Sequence, residues 1–574
     1  GLHSYPGMAD PDGVTIPTGS VGMGPAVTIA LALVQQVLKA HGYTVPDSHF
    51  FAVVGDAEAE EGNLKEMLPM VREFGISGVT HIMDYNRQSL DTNIDESKVQ
   101  KTIADYRSSG WKIVKLRFGR KVQEKFVGRD GKLFERLLLR VKPQTYQALI
   151  AKDGREIREY LIGKDHSMRE FLLGTTDQDV YDLFTDQGGH DLEELVNAGS
   201  TARASKTPTL IIAYTTKGWG LKPMIGNVAN HSQLLTKEEI EELRVSLDIS
   251  ADDPFATFEE NTEEHALLSE VSGRLREEKE YYDNIIRENR ENFAYDVNPG
   301  DLPGRIEPAA KLQGRVPTQV FLGETIKTLA GLMSKNYTSL EPKDQVLKSM
   351  TDGRLYLVSP DVASTTNIGI AGQIEGVISS VDRSGHLLQV GIREMNAVTL
   401  AAALGKSDEF FGVRTIPLVV IYDPFLFRRA LDQIFYGQYW KSRFIMVGSP
   451  SGATLAPEGA SHQSLYGPII SMASPNVITW EPAFVDEIPF ILRDSLYRML
   501  TGNDEHRQVV YIRASTLGVN RRDLFTYLKK RPDTRHLDES NLQQQFGAEV
   551  LRGGYRLIDH RGNKDYAPDE NAVN

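Results

Sequence analysis

Eight short runs of aliphatic and β-branched residues punctuate this chain, separated by stretches long enough to hold helices. They are "HFFAVV" (49–54), "VTHIMDY" (79–85), "TLIIAY" (209–214), "LYLV" (355–358), "HLLQVG" (386–391), "PLVVIY" (417–422), "RFIMVG" (443–448) and "VVYIR" (509–513). Runs this apolar read as strands covered on both faces, and strands joined through helices run parallel. The pattern predicts an α/β protein built on two doubly wound, mostly parallel sheets. Such sheets bind ligands beyond the carboxyl ends of their strands.

At 574 residues the chain is too long for one core. Residues 236–295 are strongly charged and helical in pattern, opening with Thr236 and Glu239 spaced as a capping box. "DVNPGDLPGRIEPAAKLQGRVP" (296–317) gathers proline and glycine as a linker does. The expected division is a first α/β domain with its charged helical extension over 1–295, a linker over 296–317, a second α/β domain over 318–535, and the start of a C-terminal region over 536–574.

A net charge of −14 argues against a nucleic-acid-binding surface, which needs concentrated Lys and Arg. The absence of cysteine removes disulfides, thiolate metal sites and cysteine nucleophiles. No uninterrupted apolar run approaches the roughly 18 residues that span a bilayer, and no signal-peptide pattern opens the chain. These features lead to the expectation of no membrane partner and a cytoplasmic location. Gly1 rather than Met stands first, which reads as a chain whose natural beginning is missing.

Common motifs fail on inspection. "LGKS" (404–407) ends like a P-loop, but Leu400 occupies the position of the required glycine. "GSVGMG" (19–24) has the wrong spacing for a dinucleotide fingerprint and no strand before it. "GSPSG" (448–452) puts proline where a hydrolase elbow needs serine. The thirteen histidines are scattered and no H-E-x-x-H occurs, so a histidine zinc site has no support.

One constellation survives. The first run drives into "GDAEAEEG", placing Asp56, Glu58, Glu60 and Glu61 just after a strand. Carboxylates there can complement a helix N-terminus, or Asp56 can hold a metal. Thirty residues on, at the end of the next run, stands Asn86 in "IMDYNRQSLD", followed by Gln88. A carboxylate, an amide oxygen and a main-chain carbonyl are hard ligands suited to Mg²⁺ or Ca²⁺. Asp and Asn also end strands and form turns without any ligand.

"GDAEAEEG…DYNRQSLD" resembles the signature of thiamine diphosphate enzymes, in which Asp and Asn bind the magnesium that grips the cofactor's diphosphate. Within that superfamily the chain is similar to the single-chain, homodimeric pyruvate dehydrogenase first component, with transketolase a more distant relative. The resemblance runs through nearly all of the first 515 residues, including "GLHSYPG", "PTGSVGMGP", "SSGWKIVKL", "GGHDLEEL", "TLIIAYTTKGWG", "VGIREMNAV", "FLFRRALDQ" and "SGATLAPEGASHQ". Ala57 departs from it, standing where the family has glycine. The methyl group is tolerable at an ordinary backbone angle and strained in a left-handed one. The resemblance also implies a longer segment before Tyr5 and a third, C-terminal domain, neither visible here.

The resemblance implies roles by position. Asp56, Asn86 and Gln88 would hold Mg²⁺. Ser20 and Val21, with Thr18, belong to the loop beneath the thiamine. Glu394 in "GIREMNAV" matches the glutamate that hydrogen-bonds the aminopyrimidine, and Phe425 in "YDPFLFRRALDQ" matches the aromatic stacked on it. His462 and His231 match catalytic histidines, and Asp361 an acid near the thiamine rings. Lys217 would meet the substrate carboxylate or a phosphate, and Tyr5 would face the substrate. Taken alone, Glu394 reads as a solvated acid in a first helical turn, Phe425 as core, His462 as a loop cap and Asp361 as a turn former.

The implied activity is decarboxylation of a 2-oxo acid, with pyruvate expected, and transfer of the acyl group to a lipoyl domain of an acyltransferase subunit. The implied assembly is a homodimer with each active site spanning the subunit contact. The alternative is transketolase-like ketol transfer between sugar phosphates. That work needs cations at the pocket mouth, for which Arg513 could partly serve.

Overall fold

A computed structural model describes residues 5–10, 13–90, 92–292, 297–333, 342–360, 366, 376–506 and 508–558. They form two compact units. One comprises residues 19–33 and 47–283; the other comprises 1–18, 34–46 and 284–574.

The unit spanning 47–283 is built on four parallel strands, β1 (Phe50–Gly55), β2 (Val79–Tyr85), β3 (Lys112–Leu116) and β4 (Thr209–Tyr214), in the order β1-β2-β4-β3. Every residue of β4 is buried, as an interior strand covered on both faces must be. β3 was not among the expected strands. It lies at the sheet edge, and Lys112 and Lys115 point to solvent and break its apolar run. Thr236 caps the helix Lys237–Ser246 through the reciprocal box with Glu239, and a 30-residue helix, Glu263–Asn292, follows.

The helix Met23–Ala40 is, by length and composition, apolar enough to cross a membrane, although Gln35, Gln36 and Lys39 interrupt its apolar run. Buried positions make up 72% of it, as in the core helix of a folded domain.

The other unit carries six parallel strands: β5 (Leu355–Ser359), β6 (Leu387–Gln389), β7 (Ile416–Ile421), β8 (Ile445–Gly448), β9 (Val477–Trp480) and β10 (Val509–Arg513). Their order is β9-β10-β8-β7-β5-β6. Here too an edge strand, β9, escaped the sequence pattern. A continuous core from Val297 to Val550 packs against one face of the sheet, with Phe321, Ile326, Ile488, Leu492 and Phe546 among its members.

Candidate active site

In the first unit, three strand ends converge. Parallel pairing sets Gly55 opposite Asp84 and carries β2 directly alongside β4, so Asp56, Asn86 and Thr215 each begin a loop at one edge of the sheet. This adjacency brings the predicted pair Asp56 and Asn86 together. Burial, with the negative charge of Asp84 nearby, pushes Asp56 up to about 7 against the stabilising pull of the Ala57 N–H. Its Oδ2 atom is buried with no hydrogen-bond partner.

The four acids after β1 divide their work. Glu58 accepts from Gly22 N at 2.8 Å and from Gly55 N at 3.1 Å, pinning the Ser20–Val21 loop to the end of β1. Gly22, at φ +84°, has no room for a Cβ, which would fall 2.4 Å from Asn63 Oδ1. Glu60 pairs with Lys98. The helix Gly62–Met67 has no acid in its first turn, and Glu61 makes no side-chain cap, so complementing that helix does not explain the cluster. Ala57 has φ −73° and ψ −34°, an ordinary right-handed geometry in which its methyl group is unstrained.

Asn86 donates through Nδ2 to Asp84 Oδ2 at 3.0 Å and accepts at Oδ1 from Gln88 N at 2.9 Å. Thr215 donates its hydroxyl to the other oxygen of Asp84. Gln88 accepts from Asn230 Nδ2 at 3.0 Å and donates to Asn227 O at 3.4 Å, joining the turn that ends at His231. Lys217 Nζ lies 3.4 Å from His231 Nδ1, and its positive charge acts on Asp56. Asp56, Asn86, Gln88, Lys217 and His231 therefore form one set.

The donors fit a divalent cation. Among the described residues no three His, Cys, Asp or Glu side chains converge as a self-sufficient metal cage. One carboxylate, one amide and a main-chain carbonyl suit Mg²⁺ that completes its shell with ligand phosphates. The orphaned, desolvated Asp56 oxygen is what such a cation would satisfy.

The second unit holds another set. Glu394, at the start of the helix Glu394–Gly405, is only 5% exposed and so is not a solvated acid. Arg429 Nη1 meets its Oε1 at 2.5 Å. The same guanidinium lies 4.5 Å above the Phe425 ring, one turn earlier on the helix Asp423–Arg429. His462 stands edge-on to Phe425, with centroids 5.4 Å apart and planes at 82°. Arg428 holds the histidine's loop by donating to Ser461 O at 2.7 Å and to Gln463 O at 3.1 Å. Ser461 Oγ is 3.0 Å from His462 Nδ1.

Tyr5 is 71% exposed and is joined to neither set among the described residues. Asp361 lies outside the described residues. Sequence reasoning missed Asp84, Arg428 and Arg429, and read Glu58 only as one of four acids after a strand. It also missed His190, which accepts from Thr216 N at 2.8 Å and stacks on Trp219 at 4.7 Å. Asp84 was legible as an acid on the same strand face as Asn86, whereas the arginines act through contacts with no local spacing.

Arg513 is fully engaged. Its Nε donates to Asp423 Oδ2 at 3.1 Å, one terminal nitrogen donates to Glu481 and the other to Ser464 O. It braces the site's framework and has no free face for a substrate phosphate.

Residues 3–125 and 177–294 match the family model described as "Transketolase, thiamine diphosphate binding domain", and residues 370–516 match "Pyruvate dehydrogenase E1 component middle domain". The chain is therefore similar, in separate stretches, to the thiamine diphosphate-binding domain of transketolase and to the middle domain of a pyruvate dehydrogenase E1 component. The first family match holds the Asp56 set; the second holds Glu394, Phe425 and His462.

Over 88% of its length the chain is 26% identical to the pyruvate dehydrogenase E1 component of Cupriavidus necator, covering 57% of that protein. It is 25% identical to the Escherichia coli K12 protein of the same description over 91% of this chain and 59% of that one. It thus spans less than two thirds of these relatives. The transketolase of Leishmania mexicana superposes with a TM-score of 0.60 at 16% identity, covering 88% of this chain and 62% of that one, and shares the fold.

Proposed function

We propose that this protein is the decarboxylating component of a 2-oxo acid dehydrogenase, acting on pyruvate and passing the acyl group to a lipoyl domain of an acyltransferase partner. The observation that carries the proposal is the match of residues 370–516 to a pyruvate dehydrogenase E1 middle domain, together with Glu394, Phe425 and His462 gathered around Arg428 and Arg429 within that stretch.

When bound, thiamine diphosphate supplies a carbon nucleophile and an electron sink for decarboxylation. Asp56, Asn86 and the Gln88 carbonyl would hold Mg²⁺, and the Ser20–Val21 loop would contribute backbone contacts to the cofactor. Glu394 would hydrogen-bond the pyrimidine ring and Phe425 would stack on it, with Asp361 assigned to the thiamine rings by the resemblance alone. His462 and His231 orient the reacting groups and move protons. Lys217 would meet the substrate carboxylate or a phosphate, and Tyr5 is assigned to the substrate by its position in the resemblance alone. The working form is a homodimer with each site built from two protomers, located in the cytoplasm with neither membrane nor nucleic acid as partner.

Ketol transfer between sugar phosphates is the weaker reading, because Arg513, its candidate phosphate holder, is spent on Asp423, Glu481 and Ser464. The test supplies the purified protein with thiamine diphosphate and Mg²⁺, then measures carbon dioxide release from pyruvate and acetylation of a purified lipoyl domain. Ketol transfer from xylulose 5-phosphate without pyruvate turnover would overturn the proposal. So would the absence of any melting shift with the cofactor, as a non-catalytic scaffold requires.

A further inference from the structure

The family match to the thiamine diphosphate-binding domain stops at residue 125 and resumes at 177. The intervening residues fold into helices Gly128–Leu139, Pro143–Ile150, Gly154–Lys164 and Met168–Phe171 around a core that includes Phe134, Ile157 and Leu161 and is shared with Val122, Val180 and Phe184 of the matched residues. Two consecutive residues of this segment, Tyr146 and Gln147, are 4% and 2% exposed, and both face the loops of the proposed cation site. Gln147 Nε2 donates to the main-chain carbonyl of Asn86 at 3.1 Å. The Tyr146 hydroxyl is 3.3 Å from Thr216 Oγ1, next to Lys217. The Gln147 carbonyl packs against Gly226, where an added Cβ would fall 2.4 Å away, at the root of the turn that carries His231.

Between Asn86 and Gln88 stands Arg87 at φ +65°, a left-handed conformation that strains a residue with a Cβ. The Arg87 side chain holds that turn: its guanidinium lies 4.2 Å over the Tyr146 ring and donates to Gln187 Oε1 at 2.9 Å. One helical turn of the segment outside the family match thus supports the loops that carry Asn86, Lys217 and His231.

We infer that this helical segment is the platform that sets the geometry of the cation site, and that Gln147 is a positioning residue fixing Asn86. The inference rests on the proposed cofactor reading but not on the choice of substrate. Without the Gln147 donor, the Asn86 carbonyl loses its buried partner and the strained turn relaxes, turning the Asn86 amide and the Gln88 carbonyl away from a shared cation.

The test is a Mg²⁺ titration at saturating thiamine diphosphate, read by the rise in melting temperature, on wild type, Gln147→Met and Tyr181→Phe. Tyr181→Phe removes a 3.0 Å bond to Ile150 O at the end of the same helix, a bond made to none of the cation loops, and controls for simple loosening. Gln147→Met is expected to raise the half-saturating Mg²⁺ concentration about tenfold, while Tyr181→Phe lowers the melting temperature without moving it. Equal Mg²⁺ requirements in wild type and Gln147→Met, or an equal rise in both variants, overturn the inference. A wild-type response to Mg²⁺ without pyruvate turnover removes the substrate proposal and leaves this one standing. A wild type with no Mg²⁺ response overturns both.

Discussion

Arg429 meets Glu394 at 2.5 Å, supplying a positive partner for a carboxylate that is only 5% exposed. The two residues make separable contributions. Glu394→Gln keeps the shape and loses the charge, so turnover is expected to fall roughly a hundredfold or more, with the Mg²⁺ requirement unchanged. Arg429→Ala strands the buried carboxylate and should cost about 2 kcal/mol of stability, discounted because the arginine is half exposed. Denaturant midpoints of the two single variants and the double variant check this: the double should recover part of the loss.

Ala57 gives a second prediction. Its right-handed backbone needs no glycine, so Ala57→Gly should destabilise by about 0.5–1 kcal/mol through the unfolded chain and leave the Mg²⁺ titration where it was. Asp56→Ala should instead abolish the Mg²⁺-dependent rise in melting temperature. A weakened Mg²⁺ response in Ala57→Gly would mean that the alanine methyl shapes the cation loop.

Arg513 gives a third. Asp423 is fully buried and is satisfied by Arg513 and by the Tyr511 hydroxyl. Arg513→Met leaves that carboxylate short of its cation, an expected loss of about 3 kcal/mol, and frees the Ser464 carbonyl two residues after His462. Adding Asp423→Asn should restore much of the stability, measured by urea unfolding. A variant that unfolds like wild type yet binds a sugar phosphate more weakly would return Arg513 to the substrate.

What was legible in the sequence follows from which forces are local. The runs at 79–85, 209–214 and 509–513 coincide with β2, β4 and β10, because strands buried on both faces announce themselves by unbroken apolar residues. β3 and β9 were hidden because edge strands tolerate lysines or run only a few residues. Asp56 and Asn86 were readable as a pair because each follows a recognisable strand and parallel neighbours align their ends. Gln147 was not, because its bond to Asn86 spans 61 residues and is made by a helix whose sequence shows only amphipathicity.

The last prediction concerns acid stability. His386 donates from Nδ1 to Leu355 O at 2.8 Å, and its ring packs against His41 at 4.5 Å and Tyr356 at 5.2 Å. Burial, reinforced by His41, lowers His386 to about 4, while Asp382 acts on His41 rather than on His386. The unfolded chain titrates near 6.5, so between that pH and about 4 it binds a proton that the folded chain refuses. Stability from this site is therefore complete above pH 6.5 and falls as the pH drops toward 4, by up to about 3 kcal/mol. His81, lowered by burial to about 3, adds a separate loss with the same sign. Comparing denaturant midpoints of wild type and His386→Asn at pH 8, 7, 6 and 5 isolates the first contribution. The variant should start about 1 kcal/mol less stable through its altered bond to Leu355 and lose less on acidification, so the two curves converge and cross between about pH 6 and 5. Parallel curves would show that His386 takes up its proton without opposing the fold.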